Sequence, residues 1–199
     1  MFSRITVQLP AQGLLFRRLS GSEALSQSFV LQAELLSTDA RIDRKSLLGK
    51  PVTFTLPTDG LLSAVNPRYI NGKITQIACA ARSWAACATV YGLTVESDLW
   101  PMKRDRNLRI FQSQTVPQIV QTLLKRVRSE RGNAPGGKLP SVGILRAVSG
   151  ERFDFISRLM ELEGIYYFFR HEADKHTLVL CDAPDQHQAF PGYETIAYT

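Results

Sequence analysis

The stretch that decides the fold is Phe153-Asp154-Phe155-Ile156-Ser157-Arg158-Leu159-Met160-Glu161-Leu162-Glu163-Gly164-Ile165-Tyr166-Tyr167-Phe168-Phe169-Arg170. It reads as a helix, a stop and a strand. At helical spacing Phe153, Phe155, Ile156, Leu159, Met160 and Leu162 share roughly half of the circumference, with Asp154, Ser157, Arg158 and Glu161 opposite. Glu163 leans toward the apolar side, but in the last turn its carboxylate reaches water. Ser149 is the candidate N-cap, and Glu151 sets negative charge near the positive end of the helix dipole. Gly164 offers the positive φ that ends a helix. Ile165 to Phe169 is almost wholly β-branched or aromatic. Its partner is Thr177 to Cys181, reached through the polar turn His171-Glu172-Ala173-Asp174-Lys175-His176. The hairpin is apolar on both faces and requires cover on both. The helix can supply one side. The other must come from elsewhere in the chain or from another chain.

Working upstream, Thr115-Val116-Pro117-Gln118 has the form of a capping box with Pro in the first turn. Val116, Ile119, Val120, Leu123, Leu124 and Val127 then follow at helical spacing. Leu108 to Phe111 and Ile144 to Val148 read as short strands, and the Gly- and Pro-rich stretch from Gly132 to Pro140 as a loop. Residues 1–98 read as strands instead. Apolar residues alternate through Ile5-Val7-Leu9, through Phe29-Leu31-Ala33-Leu35 and through Val52-Phe54-Leu56, with a second short strand at Leu14 to Leu19. Asp43 to Leu48 is one helical turn ended by Gly49. Asp59-Gly60 marks a turn. Tyr69 to Ala78 and Cys87 to Val95 are further strands, and Asn71-Gly72 inside the first of them is either a turn or a bulge. Six or more short antiparallel strands with one apolar face each predict a small closed or nearly closed barrel.

The expected fold is therefore mainly β with an α+β second part. An antiparallel β-barrel over 1–98 is followed by an α+β domain over 99–199. That domain has helices near 116–130 and 151–163 and a hairpin over 165–181. With 44% hydrophobic and 21% charged residues in 199, the composition is that of a globular chain. No apolar run approaches a membrane span, and the first residues do not read as a signal peptide. The three cysteines, Cys79, Cys87 and Cys181, form no CxxC pair and read as buried thiols in a reducing compartment.

The net charge of +6 is concentrated between Pro101 and Arg131, where Lys103, Arg104, Arg106, Arg109, Lys125, Arg126, Arg128 and Arg131 outnumber Asp105 and Glu130. Such a stretch suits an acidic partner, nucleic acid or protein. The plainer reading is a solvated helix surface with cations toward its C-terminal end. The motifs of a serine hydrolase, a zinc protease, a P-loop and a dinucleotide fold are absent from the sequence. His171 and His176 share one turn with Glu172 and Asp174, a ligand set too small for a structural metal site, and read as solvated. Glu161 and Glu163, two apart on a helix, diverge and make a poor carboxylate pair. Tyr166, Tyr167, Phe168 and Phe169 lack interleaved basic residues and read as core or interface packing rather than a base-stacking surface. No catalytic residue, cofactor or metal is expected.

The opening stretch resembles a segment of the VgrG family, the spike proteins of bacterial type VI secretion systems, whose hub module is shared with contractile phage tails. Leu15 to Ser26, Leu47-Leu48-Gly49-Lys50-Pro51-Val52 and Arg106 to Gln112 with Val116-Pro117-Gln118-Ile119-Val120 resemble further family segments in the same order, as do Leu178 to Asp182 and Pro191-Gly192-Tyr193. Leu162 interrupts the family's longer acidic run, and its tryptophan-rich approach is reduced to Leu99-Trp100-Pro101. The resemblance implies a structural hub that docks the spike on the tube for contractile delivery of effectors. Its implied partners are two further copies of the chain in a homotrimer, a hexameric tube ring protein, and effectors or adaptors. It also implies a cytoplasmic protein exported by the system without a signal peptide, and family members that continue beyond residue 199. Tyr166, Tyr167, Phe168, Phe169, Lys103, Arg104 and Arg106 are the candidate interaction residues. The alternatives are a bacteriophage tail-hub protein, a nucleic-acid-binding domain using the 101–131 basic stretch, and a wall-degrading hydrolase.

Overall fold

The structure is a computed structural model and describes residues 5–57, 67–83, 88–106, 110–125, 127, 129–131, 142–146 and 151–183. Six strands build the main sheet: β1 (Thr6–Gln8), β2 (Leu15–Ser22), β3 (Val30–Ser37), β4 (Pro51–Leu56), β5 (Arg68–Ser83) and β6 (Ala88–Glu96). Their order is β1-β4-β5-β6-β3-β2 and every pairing is antiparallel. The sheet curls until its two edge strands, β1 and β2, lie side by side without a shared ladder, so it is a nearly closed barrel, as expected. Period-2 alternation explains the interior: Leu31, Ala33 and Leu35 of β3 and Tyr91, Leu93 and Val95 of β6 are buried. Edge strand β2 carries a register shift between Phe16 and Arg18, and Arg17 in the bulge reaches Glu34 at 3.2 Å.

The helical turn α1 (Arg44–Leu47) is capped by Asp43, whose carboxylate accepts the Lys45 N–H at 3.1 Å, and Gly49 follows it at φ 74°. After the barrel come a 3-10 turn at Trp100–Lys103, strand β7 (Ile110–Gln114) and helix α2 (Val116–Leu123). Gln118 Oε1 accepts the Thr115 N–H at 2.8 Å, which is one half of the predicted capping box. Val116, Ile119, Val120, Leu123, Leu124 and Val127 are all buried. The helix is shorter than the 116–130 expected. It ends at Leu123, and strand β8 (Ser129–Arg131) takes up the residues beyond. No basic residue lies in its last turn, and Lys125 follows the helix instead.

Strand β9 (Val142–Arg146) pairs with β7. Helix α3 (Arg152–Leu162) is capped at Glu151 rather than Ser149, which lies outside the described residues, as do Asp59-Gly60, Cys87 and the loop 132–140. Phe155, Ile156, Leu159 and Met160 bury its apolar face, whereas Leu162 is 81% exposed. Gly164 takes φ 66°, and the Ile165 N–H donates to the Met160 carbonyl at 2.8 Å, which closes the helix. The hairpin β10 (Tyr166–His171) and β11 (His176–Cys181) follows, with β8 added in parallel on the far side of β11. One apolar cluster runs from Leu14 and Phe29 of the barrel through Ile119 and Ile156 to Leu178 and Leu180.

Two sequence readings are corrected at residue level. Asn71-Gly72 is neither turn nor bulge: β5 runs through it in register with Thr53 and Val52 of β4. Cys79 is exposed, not buried, because it lies in the part of β5 whose side chains leave the core; Cys181 is buried as expected.

Candidate interaction site at the joint between barrel and hairpin

The hairpin turn is tighter than the sequence suggested. His171 and His176 are not in it. They form the last pair of the β10–β11 ladder, and the Glu172 N–H closes the turn on the Lys175 carbonyl at 2.8 Å. Nor are they solvated. The side chains are 7% and 3% exposed, with ring centroids 5.9 Å apart. Strand pairing decides this, since it points both rings at β5 and at Phe29, which precedes β3. The Phe29 ring lies 5.3 Å from His171, 5.7 Å from His176 and 5.0 Å from Phe169. The face of the hairpin that carries Phe169, His171 and His176 is thus covered from within the chain.

Hydrogen bonds fix the rings. His171 Nδ1 accepts the Asn71 backbone N–H at 2.9 Å, and its Nε2 lies 3.0 Å from Glu23 Oε1. His176 Nε2 accepts the Asp98 backbone N–H at 2.9 Å, and its Nδ1 lies 3.0 Å from Asn71 Oδ1. A nitrogen that accepts carries no proton, so His171 holds its proton on Nε2 and His176 on Nδ1, and each donates to the oxygen it faces. Asn71 completes the set by donating its side-chain N–H to Thr53 Oγ1 at 2.6 Å. Gly72 lets the chains close up: a Cβ there would stand 2.5 Å from Val95 Cγ1 and 3.3 Å from the Phe29 ring.

All four ring nitrogens are committed, so neither histidine is available as a general base or a metal ligand. Among the described residues no group of three or more His, Cys, Asp or Glu is placed to hold a metal ion. Beside His176 lies an open polar cleft lined by Pro51, Asn71, Lys73, Asp98, Asp174 and Lys175. Its charges are largely paired, Lys73 with Asp98 at 2.7 Å and Lys175 with Glu172 at 3.1 Å.

The seven candidate interaction residues fall into two places. Tyr167 and Phe169 are buried; Tyr166 and Phe168 are half-buried, and the Tyr166 hydroxyl donates to the Ala183 carbonyl at 2.7 Å. Burial, and then the Glu161 carboxylate, push the Tyr167 phenol far above the ordinary tyrosine range. Burial likewise raises the Cys181 thiol. The Ser26 N–H covers the edge of β10 by donating to the Tyr167 carbonyl at 2.8 Å. The basic residues lie apart from the aromatics. Lys103 is 3.7 Å from Glu96 and stands over the Phe153 ring, Arg104 stacks on Trp100 with its guanidinium 5.4 Å from the ring centre, and Arg106 is exposed, its backbone bridged to Glu151. The residue that sequence reasoning missed is Asn71. Its only sequence signal was a polar residue beside Gly in an apolar strand.

A curled six-stranded antiparallel barrel joined to a helix-led hairpin defines a tail-hub type of structural domain. Residues 22–199 match the model of the phage tail baseplate hub (GPD) family, and the chain belongs to that family. It is 34% identical to the type VI secretion system spike protein VgrG1b of Pseudomonas aeruginosa over 98% of its length, and 34% identical to VgrG1c of the same organism over 93%. The chain spans about a quarter of those relatives, 26% and 25% of their lengths. Among solved structures, a component of the E. coli type VI secretion system, described as structurally similar to the bacteriophage T4 tail proteins gp27 and gp5, superposes with a TM-score of 0.77 at 21% identity. That match covers 92% of this chain and 51% of the other, and it shows the fold. No helix among the described residues is long and apolar enough to cross a membrane.

Proposed function

We propose that this chain is a non-enzymatic hub module that joins a type VI secretion spike to the tube beneath it. The observation that carries the reading is the hub-family match along almost the whole chain. The joint supports it chemically, because the histidines there are spent on internal hydrogen bonds rather than aimed at a substrate. In this reading residues 1–98 are the presenting barrel and 99–199 the part that braces it. Three copies of the protein form the spike base, which meets a six-fold tube ring, and the assembly with its effectors leaves the cytoplasm when the machine contracts. Arg104 and Arg106, which are exposed, contact an acidic partner surface. Tyr167 and Phe169 act only from within.

Co-sedimentation with assembled tube ring protein tests this. Binding is expected, and Arg104→Glu with Arg106→Glu is expected to weaken it about tenfold by losing charge attraction at the rim. Absence of binding by the intact chain, or steeply salt-dependent DNA or RNA binding lost in the same variant, would overturn the proposal.

A further inference from the structure

We infer that Trp100 is a positioning residue that sets Arg104 as a fork for a single carboxylate, an Asp or Glu side chain on a protein partner. This deepens the proposed contact with an acidic surface and takes the identity of the partner from that reading. Trp100 opens the 3-10 turn after the barrel, and Arg104 caps its end. Leu99 and Met102 anchor the turn in the core at 2% and 4% exposure. The N–H groups of Trp100, Met102 and Arg104 donate to the carbonyls of Ser97, Leu99 and Pro101 at 3.0, 2.9 and 3.2 Å. The backbone under both side chains is therefore fixed. The Arg104 guanidinium stands over the indole, 5.4 Å from the ring centre, while the residue stays exposed. A ring on one side restrains a long side chain and leaves its N–H edge to meet an oxyanion through two parallel bonds.

Two further observations point outward. The Trp100 indole N–H is buried and has no hydrogen-bond partner among the described residues, a cost in stability that a Phe here does not carry. What Trp supplies in exchange is the best cation-binding face of any side chain. The nearby acids, moreover, are engaged elsewhere. Glu96 lies 3.7 Å from Lys103 and accepts the Thr75 hydroxyl at 2.7 Å, and Asp105, next to Arg104 in the chain, pairs with Arg152 at 2.8 Å. Among the described residues neither Arg104 nor Arg106 has an ion-pair partner. The turn thus presents two cations among carboxylates already in use. A nucleic acid draws its affinity from many neutralised phosphates, and two cations are too few; they suit one or two carboxylates.

The Arg104 Nε–H signal of the 199-residue chain, followed by NMR at low salt during titration with a tetraglutamate peptide, tests the fork. The signal is expected to shift and saturate. Trp100→Leu is expected to weaken binding about threefold by releasing the guanidinium, and Trp100→Phe, which keeps a ring face, to restore most of the affinity. Arg104→Lys keeps the charge but not the fork, and is expected to weaken binding at least about threefold, read from backbone amide shifts. Unchanged affinity in Trp100→Leu, full affinity in Arg104→Lys, or tighter binding of a thymidine oligonucleotide of equal net charge would overturn the inference. If Trp100→Leu does not fold, the parent chain decides. Its Arg104 Nε–H signal is expected upfield of that of Arg106 through the indole ring current, and equal positions would sink the assignment. Co-sedimentation with the tube ring separates this inference from the proposed function. Peptide binding through Arg104 without tube binding would count against that reading alone. Tube binding left unchanged by both Trp100→Leu and Arg104→Lys would count against this inference alone.

Discussion

Tyr167 is 1% exposed, and its hydroxyl has no protein partner among the described residues. A buried hydroxyl without a partner costs stability, so Tyr167→Phe is expected to stabilise the fold by about 1 kcal/mol, read from urea unfolding at neutral pH. The phenol also sets a pH dependence. Its folded pKa lies above the unfolded value, so its contribution is complete below about pH 10 and is lost as pH rises beyond it. Tyr167→Phe should therefore flatten the loss of stability in the alkaline range, and an unchanged alkaline slope would contradict the assignment. At this scale the sequence was least legible. Asn71 and His171 are 100 residues apart, and Asn71 and His176 are 105 apart. No local pattern reports such a contact. A histidine beside a polar turn looks the same in sequence whether its ring meets solvent or a strand from the other half of the chain.

Elements were far more legible, because their signals are local. The spacing of Val116, Ile119, Val120, Leu123 and Leu124 marks one face of α2, and the Thr115–Gln118 pairing marks its start. The end of α2 escaped notice because Val127 continues the apolar period after the backbone has left the helix. In α3 it was the burial of Leu162 that was misread: the residue keeps the apolar period, but in the last turn its side chain lies in solvent. These two helices make a paired prediction. Ile119→Ala, at 0% exposure, is expected to cost about 2–5 kcal/mol through the cavity it leaves. Leu162→Glu, at 81% exposure, should change stability by no more than about 0.5 kcal/mol. Thermal and urea melts of the two variants check both. A large loss in Leu162→Glu would mean that the side chain is covered in solution.

For the whole molecule, the sequence showed a change of character near residue 98 but not the shared interior. Strand periodicity assigns each half an apolar face; it does not say that the faces meet. The single cluster from Leu14 to Leu180 and the hydrogen bonds at Asn71 predict one cooperative thermal transition for the intact chain. A chain cut after residue 98 loses the hairpin packed on Phe29 and both histidines. It is expected to unfold without a sharp transition, whereas two separable calorimetric peaks in the intact chain would refute the shared core. The kinked rim of the sheet has a consequence of its own. With a bulge at Arg17 and a second cation at Arg18, β2 offers a stranger's backbone a crooked, charged template. Copies of this chain can crowd together at high concentration while that side resists zipping into fibrils, and association is left to surfaces that match by shape.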